Sequence, residues 1–387
     1  MQEAAAYLDY HAHTPLDPEV RQTLFSAFSD LDANPHSQSR RGEQARMAVE
    51  GARSSIANLI GYAPQDVIFT SGATEANNLA IKGVLGHLKK TGRRRIVVSG
   101  GEHASILSTV QVLDGEFDVQ IAPLLRTGMV DQAALAALLT PETGLVSIAA
   151  ANHEIGTVQP LAEIARLAKS TGAIVHSDLA QAAGKIPVHL ADVDMVSVTA
   201  HKMHGPIGVG ALCARRPVRR LLAPLLNGGG QEGGLRSGTV AAPLAVAFGR
   251  ACSLAADRMV SDGKRVSDLR DQLLGLLTAS TDVEINGSMD ARLPGNLNLR
   301  FPGVDGEALV MRVRDEIVIS TGSACSSKSL EPSHVLLAIG LSQSQAESAI
   351  RIGIGRFTTE AEVLDAANAL RRAVNDLTAM TGRLRAS

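Results

Sequence analysis

The chain has 387 residues, of which 45% are hydrophobic and 20% charged, and its 37 basic and 39 acidic side chains give a net charge of −2. This composition excludes a wholly disordered chain, and the charge balance excludes a protein that binds nucleic acid through a bulk excess of positive charge. Aromatic residues make up 3% of the chain and Trp is absent, so surfaces that stack on bases are not expected either.

Cysteine usage and the absence of targeting signals favour a cytoplasmic protein. Cys213, Cys252 and Cys325 are widely spaced and odd in number, which favours free thiols in a reducing compartment over disulfides or a zinc site. Charges or Gly interrupt every apolar run before the roughly 18 residues of a membrane span. The start, MQEAAAYLD, lacks a basic segment followed by an apolar one. We therefore expect a cytoplasmic enzyme or binding protein of two or three domains.

Short β-branched runs alternate with helical patterns from about residue 64 to residue 215. Several runs are continuously apolar, as in strands that helices cover on both faces. The predicted strands are DVIFT (66–70), RIVVS (95–99), VQIAPL (119–124), GLVSIAA (144–150), AIVHSD (173–178), MVSVTA (195–200) and VGALCA (209–214). This alternation predicts an α/β fold with a mostly parallel sheet.

Helical spacing is found before, between and after these strands. Predicted helices cover residues 43–59, 75–87, 132–139 and 161–170, with Gly61 ending the first. From about residue 249 the pattern changes, because a long helix to about residue 277 leads to the short strands VEING, NLNLRF and IVIST. This part predicts a smaller α+β domain.

Ligands of open α/β sheets bind at the carboxyl ends of the strands, so the residues that follow each strand are candidates for a site. After the first strand, SGATE (71–75) begins a helix, and such a terminus with Gly and small hydroxyl residues suits a phosphate. The alternative is an ordinary helix cap by Ser71 or Thr74. His103 follows the second strand, and a lone His is more often structural.

Two charged residues end later strands. Asp178 closes AIVHSD and precedes Gln181, and a carboxylate in an apolar parallel strand is costly unless it is paired with a cation or a metal. MVSVTA runs into His201 and Lys202. An amine at this edge of a sheet has its pKa lowered by desolvation and becomes a Schiff-base nucleophile, whereas the commoner alternative is a solvated surface lysine.

Taken together, these candidates match the needs of pyridoxal phosphate. Lys202 would form the imine, Asp178 would keep the pyridine nitrogen protonated, His103 would stack on the ring and the 71–75 loop would hold the phosphate. A nicotinamide site does not fit, because GGGQEGG (228–234) lacks the strand, helix and spacing of that fingerprint. The G-x-x-x-x-G-K-[ST] motif of nucleotide-binding loops does not occur.

A series of specific motifs runs along the chain: YLDYHAHTPLD, FTSGATEANNLAIKG, GEHASIL, NHEIGTVQPL, HSDLAQAAGK, AHKMHGPIGVGAL, GGGQEGGLRSGT, STGSACSSKSLEPSHVLLAIGL and RIGIGRFTTEAEV. In these motifs and in their order, over roughly residues 7–368, the chain resembles the cysteine desulfurases that serve nitrogen fixation and iron–sulfur-cluster assembly. The resemblance implies a fold-type I pyridoxal-phosphate enzyme, with a large cofactor-binding domain over residues 15–255. A small domain of residues 1–14 plus 256–387 would carry the catalytic cysteine loop.

The resemblance also implies the role of each site residue. Lys202 binds the cofactor covalently, His103 stacks and transfers protons, Asp178 contacts the pyridine nitrogen and Gln181 the ring oxygen. The residues implied to hold the phosphate are Ala73, Thr74, Thr199 and His201, with Thr239 reaching in from the second subunit of a homodimer. Asn152 and Arg351 are implied to bind the substrate carboxylate, since the planar guanidinium bonds both carboxylate oxygens.

The implied reaction converts L-cysteine to L-alanine. Its sulfur passes to Cys325 as a persulfide and then to a protein acceptor, such as a cluster scaffold, or into another thiolation pathway. No resident metal is implied, although Cys325 would contact a transferred cluster. The 321–329 segment around it is small and polar and is expected to be mobile. Cys213 and Cys252 are expected to be core thiols.

Two alternatives to this function differ from it in class. An aminotransferase or selenocysteine lyase would use the same fold, whereas a partner protein without activity would lack the reactive residues that this chain retains.

Three positions depart from the family pattern. His13 stands where Thr is usual, Ser39 where His is frequent, and Gly233 where Arg is usual. His11 and His13 would lie on one side of an extended segment, but an isolated pair of this kind seldom holds a metal. These departures leave the catalytic set intact and concern the identity of the sulfur acceptor.

Overall fold

The structure is a computed structural model that describes residues 5–321 and 332–386, with side chains described as far as residue 380. The predicted Cys325 loop lies outside the described residues. The strands are β1 (Ala6–Tyr7), β2 (Val67–Thr70), β3 (Arg95–Ser99), β4 (Asp118–Ala122), β5 (Thr143–Ser147), β6 (Ile174–Asp178), β7 (Met195–Thr199), β8 (Gly210–Ala214), β9 (Glu284–Ile285), β10 (Asn296–Arg300), β11 (Ile317–Val318), β12 (Ser320–Thr321) and β13 (Ala349–Gly353).

The helices confirm the predicted ones and extend most of them by a few residues. They are α1 (Pro18–Asp30), α2 (Arg40–Ile60), α3 (Ala73–Thr91), α4 (Ala104–Gln111), α5 (Gln132–Leu138), α6 (Leu161–Ser170), α7 (Arg216–Arg219), α8 (Ala242–Thr278), α9 (Gly306–Val313), α10 (His334–Ala338), α11 (Gln343–Glu347) and α12 (Glu360–Ala386). Gly61 ends α2 in the left-handed conformation, at φ 73°, as its place in the sequence predicts.

All seven predicted strands pair into one sheet with the order β2-β8-β7-β6-β5-β3-β4. The pairs from β7 through β6, β5 and β3 to β4 are parallel, and β8 is antiparallel to both β2 and β7. Alternate side chains of each strand point to opposite faces, so that Val97 packs with α2, α6 and α8 while Ile96 and Val98 pack with α3 and α4. The sheet is therefore covered on both faces, and the mostly parallel α/β fold is confirmed.

The smaller core is built around a second sheet of order β12-β13-β10-β9, which is antiparallel throughout. The predicted strand IVIST is divided in two by its surroundings: β11 pairs in parallel with β1 near the N-terminus, whereas β12 pairs with β13. A single apolar run thus connects two different sheets. The split brings Asp9, just after β1, beside the end of β13, where an isolated bridge joins it to Gly353.

Helix α8 belongs to both cores. Its first half contributes Ala245, Phe248 and Cys252 to the core against the large sheet, and its second half contributes Leu269 and Leu273 to the core of the small sheet. The predicted boundary between residues 255 and 256 lies inside this helix, and the domain division itself stays a prediction.

Candidate active site

A cavity of about 410 Å³ lies at the carboxyl edge of the large sheet. It is bordered by the ends of β2, β6 and β7 and by the N-terminal segment, and Arg351 of β13 reaches it from the small sheet. The predicted site residues among its lining are Ala73, Thr74, His103, Asp178, Gln181, Thr199, His201, Lys202 and Arg351. The structure therefore brings together nine residues from separate segments of the chain, between residues 73 and 351.

The start of α3 forms one end of the cavity. The residue before this 19-residue helix is Gly72, and no side chain caps its first turn, so neither Ser71 nor Thr74 acts as the ordinary cap. Glu75 instead accepts the N–H of Ser71 at 2.7 Å. The uncapped N–H groups and the positive end of the helix dipole suit a phosphate group.

Two side chains from the end of β7 border the same end of the cavity. The Thr199 hydroxyl lies 2.9 Å from His201 Nδ1. Burial, and then the charge of Lys202, lowers the pKa of His201 to about 4, so its ring is neutral at pH 7. A neutral imidazole and a hydroxyl both donate hydrogen bonds, which is the chemistry that phosphate oxygens accept.

Asp178 occupies the other end of the cavity and is held by neutral donors. Asn77 Nδ2 donates to Asp178 Oδ2 at 2.8 Å, and the Ala180 N–H donates to Oδ1 at 2.8 Å. The expected cation or metal partner is absent among the described residues: two fixed dipoles compensate the buried carboxylate instead. These two bonds fix the position of the Asp178 carboxyl group, which borders the cavity.

His103 has its ring orientation set by Ser105. It is the N-cap of α4, and its Nδ1 accepts the Ser105 N–H at 3.1 Å and lies 2.9 Å from the Ser105 hydroxyl. Burial lowers the pKa of the imidazole, so the neutral ring dominates at pH 7. Because Nδ1 accepts, the proton of the neutral ring is on Nε2.

The Lys202 amine lies against the N-terminal segment. Its Nζ donates to the backbone oxygens of His11 and, at 2.6 Å, of Ala12. Thr14 fixes this segment, since both its N–H and its hydroxyl donate to the His201 oxygen, at 3.0 and 2.9 Å. The lysine is thus at the cavity rather than on an open surface.

Arg351 is the largest side chain that is almost fully buried, with 2% exposed. Its guanidinium donates to Asp9 Oδ1 at 2.9 Å, to the Ser320 hydroxyl at 2.8 Å and to the His153 oxygen at 3.2 Å. Its Nε is buried and has no hydrogen-bond partner among the described residues. A buried guanidinium with a spare donor at a cavity is suited to an anion.

Two predicted site residues do not line the cavity. Asn152 is buried beside it and uses its amide internally: Oδ1 accepts the N–H groups of Glu154 and Ile155, and Nδ2 donates to the Gly101 oxygen at 2.9 Å. Thr239 is exposed and lies outside the cavity of its own chain. Their roles therefore stay predictions.

The three departures have distinct structural settings. Ser39 caps α2 by accepting the Gly42 N–H at 3.1 Å. Gly233 has φ 67°, a conformation that disfavours the Arg usual in the family. His13 stacks on His201 with 5.9 Å between ring centroids.

Sequence reasoning missed three side chains that hold the site. They are Asn77, which fixes Asp178; Asp9, which pairs with Arg351; and Lys185, which donates to Gln181 at 3.2 Å. The sequence carries a signal for Asp9, because this carboxylate lies within the otherwise apolar start of YLDY. The same reasoning identifies Asp178.

Two further observations bear on the kind of site. Over residues 5–321 and 332–386, no three His, Cys, Asp or Glu side chains are grouped as metal ligands would be. Within the same ranges, every helix is too short or too polar to span a bilayer.

The family model for class-V aminotransferases matches residues 6–365. The mitochondrial cysteine desulfurase of Arthroderma benhamiae is 46% identical over 362 residues, covering 92% of this chain and 72% of that protein. Cysteine desulfurase IscS of Rickettsia bellii is 43% identical over 378 residues, covering 96% and 91%. The solved structure of SspA in complex with cysteine is 33% identical, covers 92% of this chain and all of that one (100%), and superposes with a TM-score of 0.81. This chain therefore belongs to the class-V aminotransferase family and, within it, to the cysteine desulfurases.

Proposed function

We propose that this chain is a pyridoxal-phosphate-dependent enzyme that converts L-cysteine to L-alanine and transfers the sulfur to Cys325 as a persulfide. The observation that carries the proposal is the single cavity that joins a lysine amine, a carboxylate, an imidazole, an uncapped helix N-terminus and a guanidinium with a spare donor. Family membership and the cysteine bound to the related SspA support the same assignment.

The donors and acceptors of the cavity fit the cofactor from end to end. The N–H groups that begin α3 would hold the phosphate together with Thr199 and His201, and Asp178 would hold the protonated pyridine nitrogen. Lys202 would be the covalent anchor, and His103 would cover one face of the ring. When bound, pyridoxal phosphate supplies an electron sink for the bonds around the substrate α-carbon.

Arg351 and Lys202 would orient the substrate and move its proton. The guanidinium at the cavity would bind the carboxylate of L-cysteine, and its bonds to Asp9 and Ser320 would keep it in place. Lys202 Nζ would take the α-proton, since it lies at the cavity between the two ends of the site. His103, with its proton on Nε2, would serve as a donor rather than as the base for the Cys325 thiol.

The test measures where the sulfur goes. After incubation with L-cysteine, mass spectrometry of the holoenzyme should show added sulfur on the Cys325 peptide and none on the Cys213 or Cys252 peptides. Both of those thiols are buried, and burial raises the pKa of Cys213 to about 12, so they are poor nucleophiles. Cys325→Ala should lose alanine formation while the visible absorption of the bound cofactor stays unchanged.

Other results would contradict the proposal. Sulfur on Cys213 or Cys252, or alanine formed with no sulfur on the enzyme, would exclude the Cys325 persulfide. Full turnover of cysteine by Cys325→Ala would favour a lyase or an aminotransferase instead.

The finer assignments concern assembly and location. We propose a symmetric homodimer in which Thr239 completes the phosphate site of the partner, supported by its exposure and by the Arg236–Glu75 bond of 2.9 Å that ties the preceding segment to α3. An active monomer in light scattering at working concentration would contradict this. We also propose a cytoplasmic location and a protein acceptor of sulfur, such as a cluster scaffold.

A further inference from the structure

Lys185 is half-buried near the cavity, and the proposed reaction gives it no task. It follows β6 in a tight turn, one helical turn after Gln181, and its Nζ donates to Gln181 Oε1 at 3.2 Å. Gly184 makes this turn possible, because its φ is 71° and a Cβ there would lie 2.7 Å from Ala255 Cβ. The turn is therefore pressed against α8, which fixes the direction of the lysine side chain.

The amide of Gln181 has only one orientation that satisfies its neighbours. Its Oε1 accepts from Lys185 and lies 3.1 Å from His11 Nδ1, while its Nε2 donates to the His11 oxygen at 3.0 Å. The His11 oxygen can only accept, and the protonated form of Lys185 can only donate, so the reversed amide would place an acceptor against an acceptor and a donor against a donor. The oxygen therefore faces Lys185, and the second N–H of Nε2 remains for a group in the cavity.

The same chain of bonds reaches the catalytic lysine. The His11 oxygen that accepts from Gln181 also accepts from Lys202 Nζ. Gln181 and Lys202 therefore hold the same point of the N-terminal segment.

A lysine at this position is unfavourable for stability. No Asp or Glu among the described residues forms an ion pair with it, and burial, followed by the charges of Lys202 and Arg351, lowers its pKa to about 7. Residues that reduce stability without a compensating interaction are most often found at functional sites. An apolar side chain would satisfy packing here but would remove the Lys185 donor and leave the Gln181 oxygen with only His11 Nδ1 beside it.

We propose that Lys185 is a positioning residue that locks the Gln181 amide with its N–H toward the ring oxygen of the cofactor. The inference rests on the proposed function, because it assumes that the cavity holds pyridoxal phosphate. Lys185 acts only through Gln181, by fixing which end of the amide meets the cofactor.

The experiment is a double-mutant cycle on apoenzyme titrated with pyridoxal phosphate, read by visible absorption. Lys185→Met should raise the cofactor Kd by about 3- to 10-fold, the range of one hydrogen bond. It should also move the midpoint of the absorption pH titration upward, since an oxygen that loses a donor holds its proton more tightly. In a Gln181→Leu background, Lys185→Met should change neither quantity further.

Conservative variants separate positioning from packing. A cavity of about 60 Å³ beside Lys185 leaves room for Lys185→Arg, which keeps the donor and should restore the Kd to within about twofold of wild type. Lys185→Leu also removes the donor and serves if Lys185→Met unfolds, as judged by circular dichroism.

Two outcomes would contradict the role of Lys185, and a third would contradict the proposed function. If Lys185→Met weakens the cofactor equally with and without Gln181, Lys185 acts through its charge or through packing, and the proposal is wrong. An unchanged Kd and midpoint in Lys185→Met would likewise refute it. If the wild-type apoenzyme does not bind pyridoxal phosphate at all, it is the proposed function that fails.

Discussion

Two groups of residues that support the cavity are built in different ways. The cofactor wall, defined here as Asp178, Thr199 and Lys202, comes from the ends of two neighbouring parallel strands and the turn after one of them. The carboxylate wall, defined as Asp9, Ser320 and Arg351, joins the N-terminal segment, β12 and β13. Asp9 and Arg351 lie 342 residues apart in the sequence. The cofactor wall depends on one sheet, whereas the carboxylate wall depends on long-range packing.

The means of holding charge differ as well. Asp178 is held by an amide and a backbone N–H, both neutral. Arg351 is held by a buried ion pair, in which each partner needs the other because a lone buried charge is strongly destabilising. We therefore expect substitutions in the cofactor wall to destabilise the protein less than substitutions in the carboxylate wall. We also expect the cofactor wall to affect binding of the cofactor and the carboxylate wall to affect binding of the substrate.

The largest effect is expected at Lys202. Lys202→Ala removes the amine that the cofactor wall presents, so borohydride should no longer fix pyridoxal phosphate to the chain, and turnover should be lost. The measurement is intact mass after reduction. Lys90→Ala, at the exposed end of α3, is the control and should be labelled like wild type. Labelling of Lys202→Ala at wild-type yield would identify another lysine as the anchor.

Arg351→Met tests whether the carboxylate wall serves the substrate alone. Removing the guanidinium should raise the KM for L-cysteine by about 10- to 100-fold, the range of charged hydrogen bonds, and leave the cofactor Kd within about twofold. Steady-state kinetics and cofactor titration measure the two quantities. A cofactor Kd that rises as much as the KM would show that the two walls are not separate.

Asn77→Ala tests the neutral support of the cofactor wall. Loss of one of the two bonds to Asp178 should raise the cofactor Kd by about 3- to 10-fold while the KM for L-cysteine changes little. Asn78→Ala is the matched control, because Asn78 is the next residue of α3 and bonds to Thr74 and Thr109 instead. Equal effects of the two variants would mean that the change acts through α3 and not through Asp178.

The smallest effect concerns a buried acid behind the cofactor wall. Glu102 accepts from the Ser99 hydroxyl at 2.5 Å, and burial raises its pKa to about 8 from an ordinary value of 4.5. Between pH 4.5 and 8 the unfolded chain has lost this proton and the folded chain keeps it, so the contribution to stability falls as pH rises. The Tm of Glu102→Gln relative to wild type should therefore rise from pH 5 to pH 8 and then level off. A difference that is constant with pH would contradict this assignment.

Sequence reasoning succeeded where local pattern and site coincide. The seven strands of the large sheet were predicted from their β-branched runs, and Asp178 and Lys202 were singled out because they end two of those strands. Only the family resemblance predicts Arg351 as a site residue, because nothing near it in the sequence indicates that Asp9 is its partner. Asn77 and Lys185 were missed because each acts through one side-chain contact, whose direction depends on packing and not on periodicity.

Helix α8 has a consequence for any attempt to divide this molecule. At about 1.5 Å per residue its 37 residues extend for roughly 55 Å, and its two halves are buried in different cores. The middle of the helix is polar, and there Asp262 bonds Arg356 at 2.6 Å. A chain cut between residues 255 and 256 would leave each half of the helix with its own core, but it would separate Leu8 and β1 from the small core and from β11. Such fragments should regain structure by complementation when mixed, and in the intact chain both cores should melt in a single calorimetric transition.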